Sequence, residues 1–409
     1  MKKLFLLLIV MCCTLAVEAQ TLNIYQGSVC VGVSAADAGD MTYDNGTTLT
    51  IAGRTYSIAD IDSIVVNTRS VTAGQVEVEY SNSGARVFMA GDVAPYLTAS
   101  VSGAHVSITS ADGLTREINY VLSGTSSDGS FTQTGSYKMR LTLKGLGLTS
   151  LSGAAINVQN GKRIKVVLAE GTINTLTDAA AGSQKACFYV RGHAEFVGEG
   201  TLTLTGRKAH AFASGEYTEL HSSLGHISVV SAVTDGFHVG QYFSMAGGKL
   251  TIAGVKSDGI DVGATKDSTE ENNGQLLISG GTLAITLDAA NDVKGIKADS
   301  LITISGGNIT ITGSGNGQKG IKTATDLLVN NASGIAPTIA ITLTGTTHNK
   351  GQADESKTRG MKIDRNFTFD GGTINVSTPG SKAKAIVVDG TYYYKSGTIN
   401  CPVSAATVG

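Results

Sequence analysis

One strand recurs along this chain with nearly fixed wording: GTLTLTG from Gly200, GGKLTIAG from Gly247, GGTLAITL from Gly280, GGNITITG from Gly306, GGTINVST from Gly371 and SGTINC from Ser396. Each copy alternates an apolar residue with a small or polar one, the period-two signature of a strand with one buried face. Leu202 and Leu204, Leu250 and Ile252, Leu283 and Ile285, Ile309 and Ile311, and Ile374 and Val376 form the expected inner face. Between the copies lies a second element, a charged residue followed by Gly or Ala and then an apolar residue. It centres on Ala186, Ala209, Gly236, Gly259, Gly295, Gly320, Gly360 and Ala385. Most of these positions follow one another at roughly 25 residues, the length of one coil made of three short strands and three turns. Two longer steps, from Gly259 to Gly295 and from Gly320 to Gly360, contain the polar inserts 265–273 and 346–358. A unit this short cannot bury its apolar face alone, so it must stack on its neighbours, and a solenoid accepts such inserts on its surface. The expected fold is all-β, a parallel β-helix of about ten to twelve coils stacked ~4.8 Å apart.

Composition agrees and excludes other classes. The chain has 52 Gly and 4 Pro in 409 residues, and no Trp. Coil turns need a missing Cβ or a positive φ, where Gly costs least, and strands paired on both sides cannot accept Pro. The Gly residues have no one-in-three period, so collagen is excluded. Charged residues make up 16% and the formal net charge is −2, so no basic field exists to hold nucleic acid.

The first nineteen residues read as a secretory signal, with Lys2 and Lys3, an apolar stretch Leu4–Ala16, and Val17-Glu18-Ala19 as the cleavage site. No transmembrane segment is expected, and the protein is expected to be exported to the periplasm, cell surface or medium. Cleavage would leave Cys30, Cys187 and Cys401, too few and too scattered for a disulfide framework. Residues 20–104 lack the coil wording and read as a small acidic β module that caps the open end of the helix, which starts at residue 105 and runs to 409.

EINYVLSGTSSDGSF (Glu117–Phe131), the segment Leu141–Ala179 and the later DGI/KGIK–ISGG–ITIT repeats resemble a family of secreted carbohydrate-binding proteins. The signal and the N-terminal module resemble those of exported Bacteroidetes proteins of this kind. The resemblance implies a right-handed, pectate-lyase-like parallel β-helix without demonstrated catalysis, with calcium on its coils and with cellulose or polygalacturonate as partner. The family's turn reads Asp-Gly-Ile, often with a second Asp. Only Asp235-Gly236-Phe237 and Asp258-Gly259-Ile260-Asp261 keep that form here, while Lys185, Lys208, Lys294, Lys319, Arg359 and Lys384 stand at the matching place in other coils.

Three candidate functions follow from these residues. Asp235, Asp258 and Asp261 form the candidate calcium cluster, because calcium takes six to eight oxygens and stacked Asp side chains supply them; Asp267, Glu270 and Glu271 of the insert lie nearby in sequence. Lys294, Lys297, Lys319, Lys322, Arg359 and Lys362 recur at the coil step and form a candidate track for an anionic polymer such as polygalacturonate. Asp299 and Asp364 are the expected neutralising partners of those lysines. A pectin-degrading hydrolase or lyase is the enzymatic alternative, since Asp235 with Asp258 or Asp261 offers two carboxyls. The adjacent Asp pair and the Gly-His-Gly element of polygalacturonases are missing. A structural or adhesive spacer is the third class. His193, His210, His226 and His348 show no metal-ligand spacing on one strand and read as solvent or coil residues. The expected protein is a monomeric, non-catalytic polysaccharide binder.

Overall fold

The computed structural model describes residues 20–39 and 41–401, together with the backbone of 406–408. The signal segment 1–19 lies outside the described residues. The described chain is all-β: its only helical pieces are three single turns, Asp37–Gly39, Ile58–Asp60 and Ala94–Tyr96.

The N-terminal part is mainly antiparallel, with one parallel pair between Val29–Ser34 and Gly84–Ala90. Thr21–Gln26 pairs with both Val29–Ser34 and Ser63–Asn67, and Gln75–Ser81 pairs with Gly84–Ala90. A three-stranded meander, Met41–Asp44, Thr48–Ile51 and Arg54–Ser57, lies beside them. Gln75–Ser81 then pairs in parallel with Ile118–Ser126, so the antiparallel part continues directly into the repeat.

From there three ladders of parallel strands run to the C-terminus, an arrangement compatible with a β-helix. The recurrent strands pair one after another, Thr201–Gly206, His226–Ala232, Lys249–Ile252, Thr282–Thr286, Asn308–Gly313 and Thr338–Leu343. The second sequence element forms another ladder, Ala186–Val190, His210–Ser214, Phe237–Val239, Ile260–Val262, Lys294–Ala298, Lys319–Thr323, Arg359–Ile363 and Lys384–Val388. The third ladder includes Arg163–Leu168, His193–Val197, Thr218–Leu220, Tyr242–Met245 and Gln275–Ile278. Alternation along each strand sends the apolar residue inward, and Leu202, Leu204, Leu250 and Ile296 are fully buried.

Two kinds of glycine make this stacking work. The second Gly of the GG pairs (Gly248, Gly281, Gly307) has φ near +72° to +83°, a region where an L side chain is strained. The Gly of the second ladder has no such φ. A Cβ on Gly259, Gly295 or Gly320 would lie 2.5–2.6 Å from the carbonyl oxygen of the next Gly in the stack. Close backbone approach between coils, and not turn geometry, fixes these positions.

The register corrects one sequence reading. Phe188, Phe212, Phe237 and Ile260 are consecutive inward partners, each one coil after the last. Ala186 and His210 therefore take the places that sequence spacing gave to Lys185 and Lys208. The slip arises because Gly is replaced by Cys187 and Ala211 in these two coils, so the wording that marks the position is lost.

Candidate functional site

The second ladder carries its outward side chains in two columns flanking the buried Gly-apolar pair. In the first column Lys294, Lys319, Arg359 and Lys384 are successive partners, preceded by His210, Asp235 and Asp258 in the coils before. The second column runs His238, Asp261, Lys297, Lys322 and Lys362 in unbroken register. Both columns change character along the stack, from His and Asp to Lys and Arg. Phe237, fully buried and 4.9 Å from the Phe212 ring, anchors the turn that holds Asp235 and His238 on either side of it.

The His/Asp end is a connected cluster. Asp235 Oδ2 lies 3.1 Å from His210 Nδ1 and 3.3 Å from His238 Nδ1, and the two imidazoles stack with centroids 4.4 Å apart. Asp261 Oδ2 is 3.1 Å from His238 Nδ1, and Lys297 Nζ donates to Asp261 Oδ1 at 2.8 Å. Asp235 Oδ1 accepts the Asp258 amide at 2.9 Å, and Asp258 Oδ1 accepts the Lys294 amide at 2.8 Å. Burial opposes charge on Asp235, but contacts from His210, His238, Ser257 and the Asp258 amide outweigh it and hold the carboxyl well below the usual range. The carboxylates of Asp235 and Asp261 raise His238 to about 9 against the effect of burial. Asp258 moves the other way, up to about 6, because it is buried beside two other carboxylates and Lys294 offsets only part of this.

This donor set does not suit calcium. Calcium takes six to eight hard oxygens, whereas here two imidazole nitrogens and a lysine ammonium face the carboxylates. Asp258 is 7% exposed and its Oδ1 is engaged by the Lys294 amide. The acidic insert is also engaged internally: Asp267 caps the Thr269 amide, and Glu270 accepts from the Thr265 hydroxyl. His210 is the member that sequence spacing missed. Its signal, alignment with Asp235 one coil away, appears only once the true register is known.

The basic end carries more cations than carboxylates. Lys297 contacts Asp261; Lys294 and Lys319 share Asp292; Lys322 and Lys362 share Asp364, with Asp389 also on Lys362. Arg359 donates to the carbonyls of Thr358 and Lys382, and among the described residues it and Lys384 make no salt bridge. Asp364 neutralises its column as the sequence suggests. Asp299 instead accepts the Ala264 amide, and Lys297 turns to Asp261. Tyr217 and Tyr242, on the third ladder, stack 4.8 Å apart at 15° and hydrogen-bond Glu195 and Glu219. The stack covers the faces that the two rings turn to each other.

A family model described as carbohydrate-binding domain-containing protein matches residues 102–406. The chain belongs to that carbohydrate-binding family, which defines its class. A solved structure of a polysaccharide lyase-like protein from C. thermocellum, a gadolinium derivative, aligns over 58% of this chain and 91% of its own, with 23% identity and a TM-score of 0.48. No curated protein matches the chain. Among the described residues no helix is long and apolar enough to cross a membrane.

Proposed function

We propose that this protein is an exported, monomeric, non-catalytic polysaccharide-binding protein of the pectate-lyase-like type, a right-handed single-stranded parallel β-helix of about ten to twelve coils. Its ligand is an acidic glycan of the polygalacturonate class, held along Lys294, Lys297, Lys319, Lys322, Arg359, Lys362 and Lys384. The observation that carries this reading is the excess of cations on that stretch: five of the seven positive side chains share Asp261, Asp292, Asp364 and Asp389, and among the described residues Arg359 and Lys384 make no salt bridge. Coils stacked ~4.8 Å apart repeat these charges along a rod, as a linear polyuronate repeats its carboxylates. Membership in a carbohydrate-binding family supports the same class of partner.

The non-catalytic part rests on burial. Asp258, whose raised pKa would suit a general acid, points its carboxyl into the coil stack, where the Lys294 amide engages it. Isothermal titration with polygalacturonate and with a neutral β-glucan tests the reading. Polygalacturonate is expected to bind with an affinity that falls as salt rises, the neutral chain weakly or not at all. Equal binding of the neutral glucan would refute the charge-based track. Release of reducing ends or unsaturated products would establish the enzymatic alternative, and no glycan binding of any kind would favour a structural spacer.

A further inference from the structure

We propose that His210, Asp235 and His238 form a binding site for a divalent transition-metal ion of the zinc type. The proposal is separate from the glycan reading, which uses the Lys/Arg part of the columns and touches this cluster only where Lys297 meets Asp261.

Zinc binds imidazole nitrogen and carboxylate oxygen at about 2.0–2.2 Å in a tetrahedral arrangement, which spaces neighbouring ligand atoms by roughly 3.3–3.5 Å. His210 Nδ1 and His238 Nδ1 lie 3.1 and 3.3 Å from Asp235 Oδ2, and the three atoms all fall within 4.8 Å of one another. Rotation of one imidazole out of the stack, with small shifts of the other two groups, would bring them to tetrahedral edges.

The carboxylate is oriented for this before any ion arrives, and His210 Nδ1 would exchange its contact with the Thr234 hydroxyl for the ion. The Asp258 amide binds Asp235 Oδ1 and leaves Oδ2 directed at both rings. Such outer contacts fix the ligand atoms of metal sites. The two imidazoles stack nearly face to face, 4.4 Å apart at 19°, so an ion comes to lie in the plane of both only after one ring turns about its side-chain bonds. His238 Nδ1 supplies a second, independent sign. This atom is buried and has no aligned hydrogen bond, although carboxylate oxygens of Asp235 and Asp261 lie 3.3 and 3.1 Å away. A ring nitrogen without an aligned partner, beside an anionic oxygen and a second imidazole, is placed as a metal ligand. Three protein ligands leave a fourth position for water, and the 43% exposure of the His238 side chain opens the cluster to solvent. Nitrogen donors set this apart from the oxygen-only chemistry of calcium.

The test uses the whole mature chain after treatment with chelator. Calorimetric titration with zinc chloride alone is expected to show one ion per chain and a raised melting temperature, and calcium chloride neither. His210→Ala and His238→Ala should each weaken zinc binding by at least about tenfold, while His226→Ala, outside the cluster, should leave it unchanged. Cobalt loading should give the strong visible absorption of a four-coordinate ion. Circular dichroism of each variant checks folding, and His210→Gln replaces His210→Ala if the latter does not fold. No stoichiometric zinc uptake, uptake unaffected by either histidine variant, or equal displacement by calcium would overturn the proposal. Polygalacturonate binding measured on the same samples reports separately on the glycan reading.

Discussion

Two ladders of this solenoid share one interior and differ in their outer surface. On the ladder of the recurrent strand, the outward row Thr201, His226, Lys249, Thr282, Asn308, Thr338 carries a single full charge, Lys249. The next row, Thr203, Ser228, Thr251, Ala284, Thr310, Ala340, carries none. On the second ladder the outward columns are wholly ionisable from Asp235 to Lys362, with Ala186, Ala213 and Val387 beyond that stretch. Parallel stacking in register brings like onto like at ~4.8 Å. Threonine stacks without charge, whereas stacked cations repel by about 0.8 kcal/mol per pair at ~5 Å in water. The charged face is therefore stabilised by carboxylates reaching in from turns and inserts, such as Asp292, Asp364 and Asp389. Fold and surface chemistry are independent here: the inner alternation specifies the solenoid, and each outer row is free to take a function.

Breaking the shared interior should produce the largest effect. Phe237→Ala beneath the charged face should cost about 3–5 kcal/mol and Leu250→Ala beneath the threonine face about 2–5 kcal/mol. Urea denaturation should show both, and a negligible loss at either site would contradict a continuous core. Gly295→Val belongs with these. Its Cβ would meet the Gly320 carbonyl at 2.6 Å, and soluble yield should fall sharply.

The comparison is sharpened next by exchanging charge. The triple substitution Lys319→Glu, Lys322→Glu and Lys384→Glu should reduce polygalacturonate affinity by at least about tenfold. Thr282→Glu with Thr310→Glu, on the neutral ladder, should leave it within about twofold. The reverse pattern would move the binding face to the threonine ladder.

Acidity should separate the two faces as well. His238 is raised to about 9 by Asp235 and Asp261, with His210 and Lys297 as the other charged or titratable neighbours. Its folded form holds the proton more tightly than the unfolded chain, so this stabilisation is complete below the ordinary histidine range and is lost as pH rises through about 9. Asp258, raised to about 6, likewise favours the folded state below the ordinary carboxylate range, and that contribution is lost as pH rises through about 6. Asp235, Asp261, Asp292 and Asp364 are all lowered, and their contributions are lost as pH falls through and below the usual carboxylate range. Melting temperatures of His238→Gln across alkaline pH should lack the wild-type decline; an unchanged slope would remove His238 as its source. The smallest effect is expected at Thr310→Ala, within about 0.5 kcal/mol.

Much of this molecule is readable along the chain. A strict period-two pattern recurring once per coil leaves a parallel, all-β stack as the economical way to bury every apolar face, and the Gly excess and Pro deficit follow from it. The candidate lysines are also readable, because they keep their distance from a Gly word that recurs within this one chain. What fails is the register where that word is blurred. Ala211 in place of Gly hides His210, and the expected Asp235–Asp258–Asp261 calcium cluster becomes a His/Asp cluster with a lysine against it.

The sequence by itself determined the solenoid class, the position of its core and the residues offered to one face, because inward alternation and coil length are local properties of the chain. Only the tertiary structure decided which side chains meet. Partners such as Lys297 with Asp261, or His210 with Asp235 and His238, lie a coil or more apart, and a register shift of one or two residues changes every such pair.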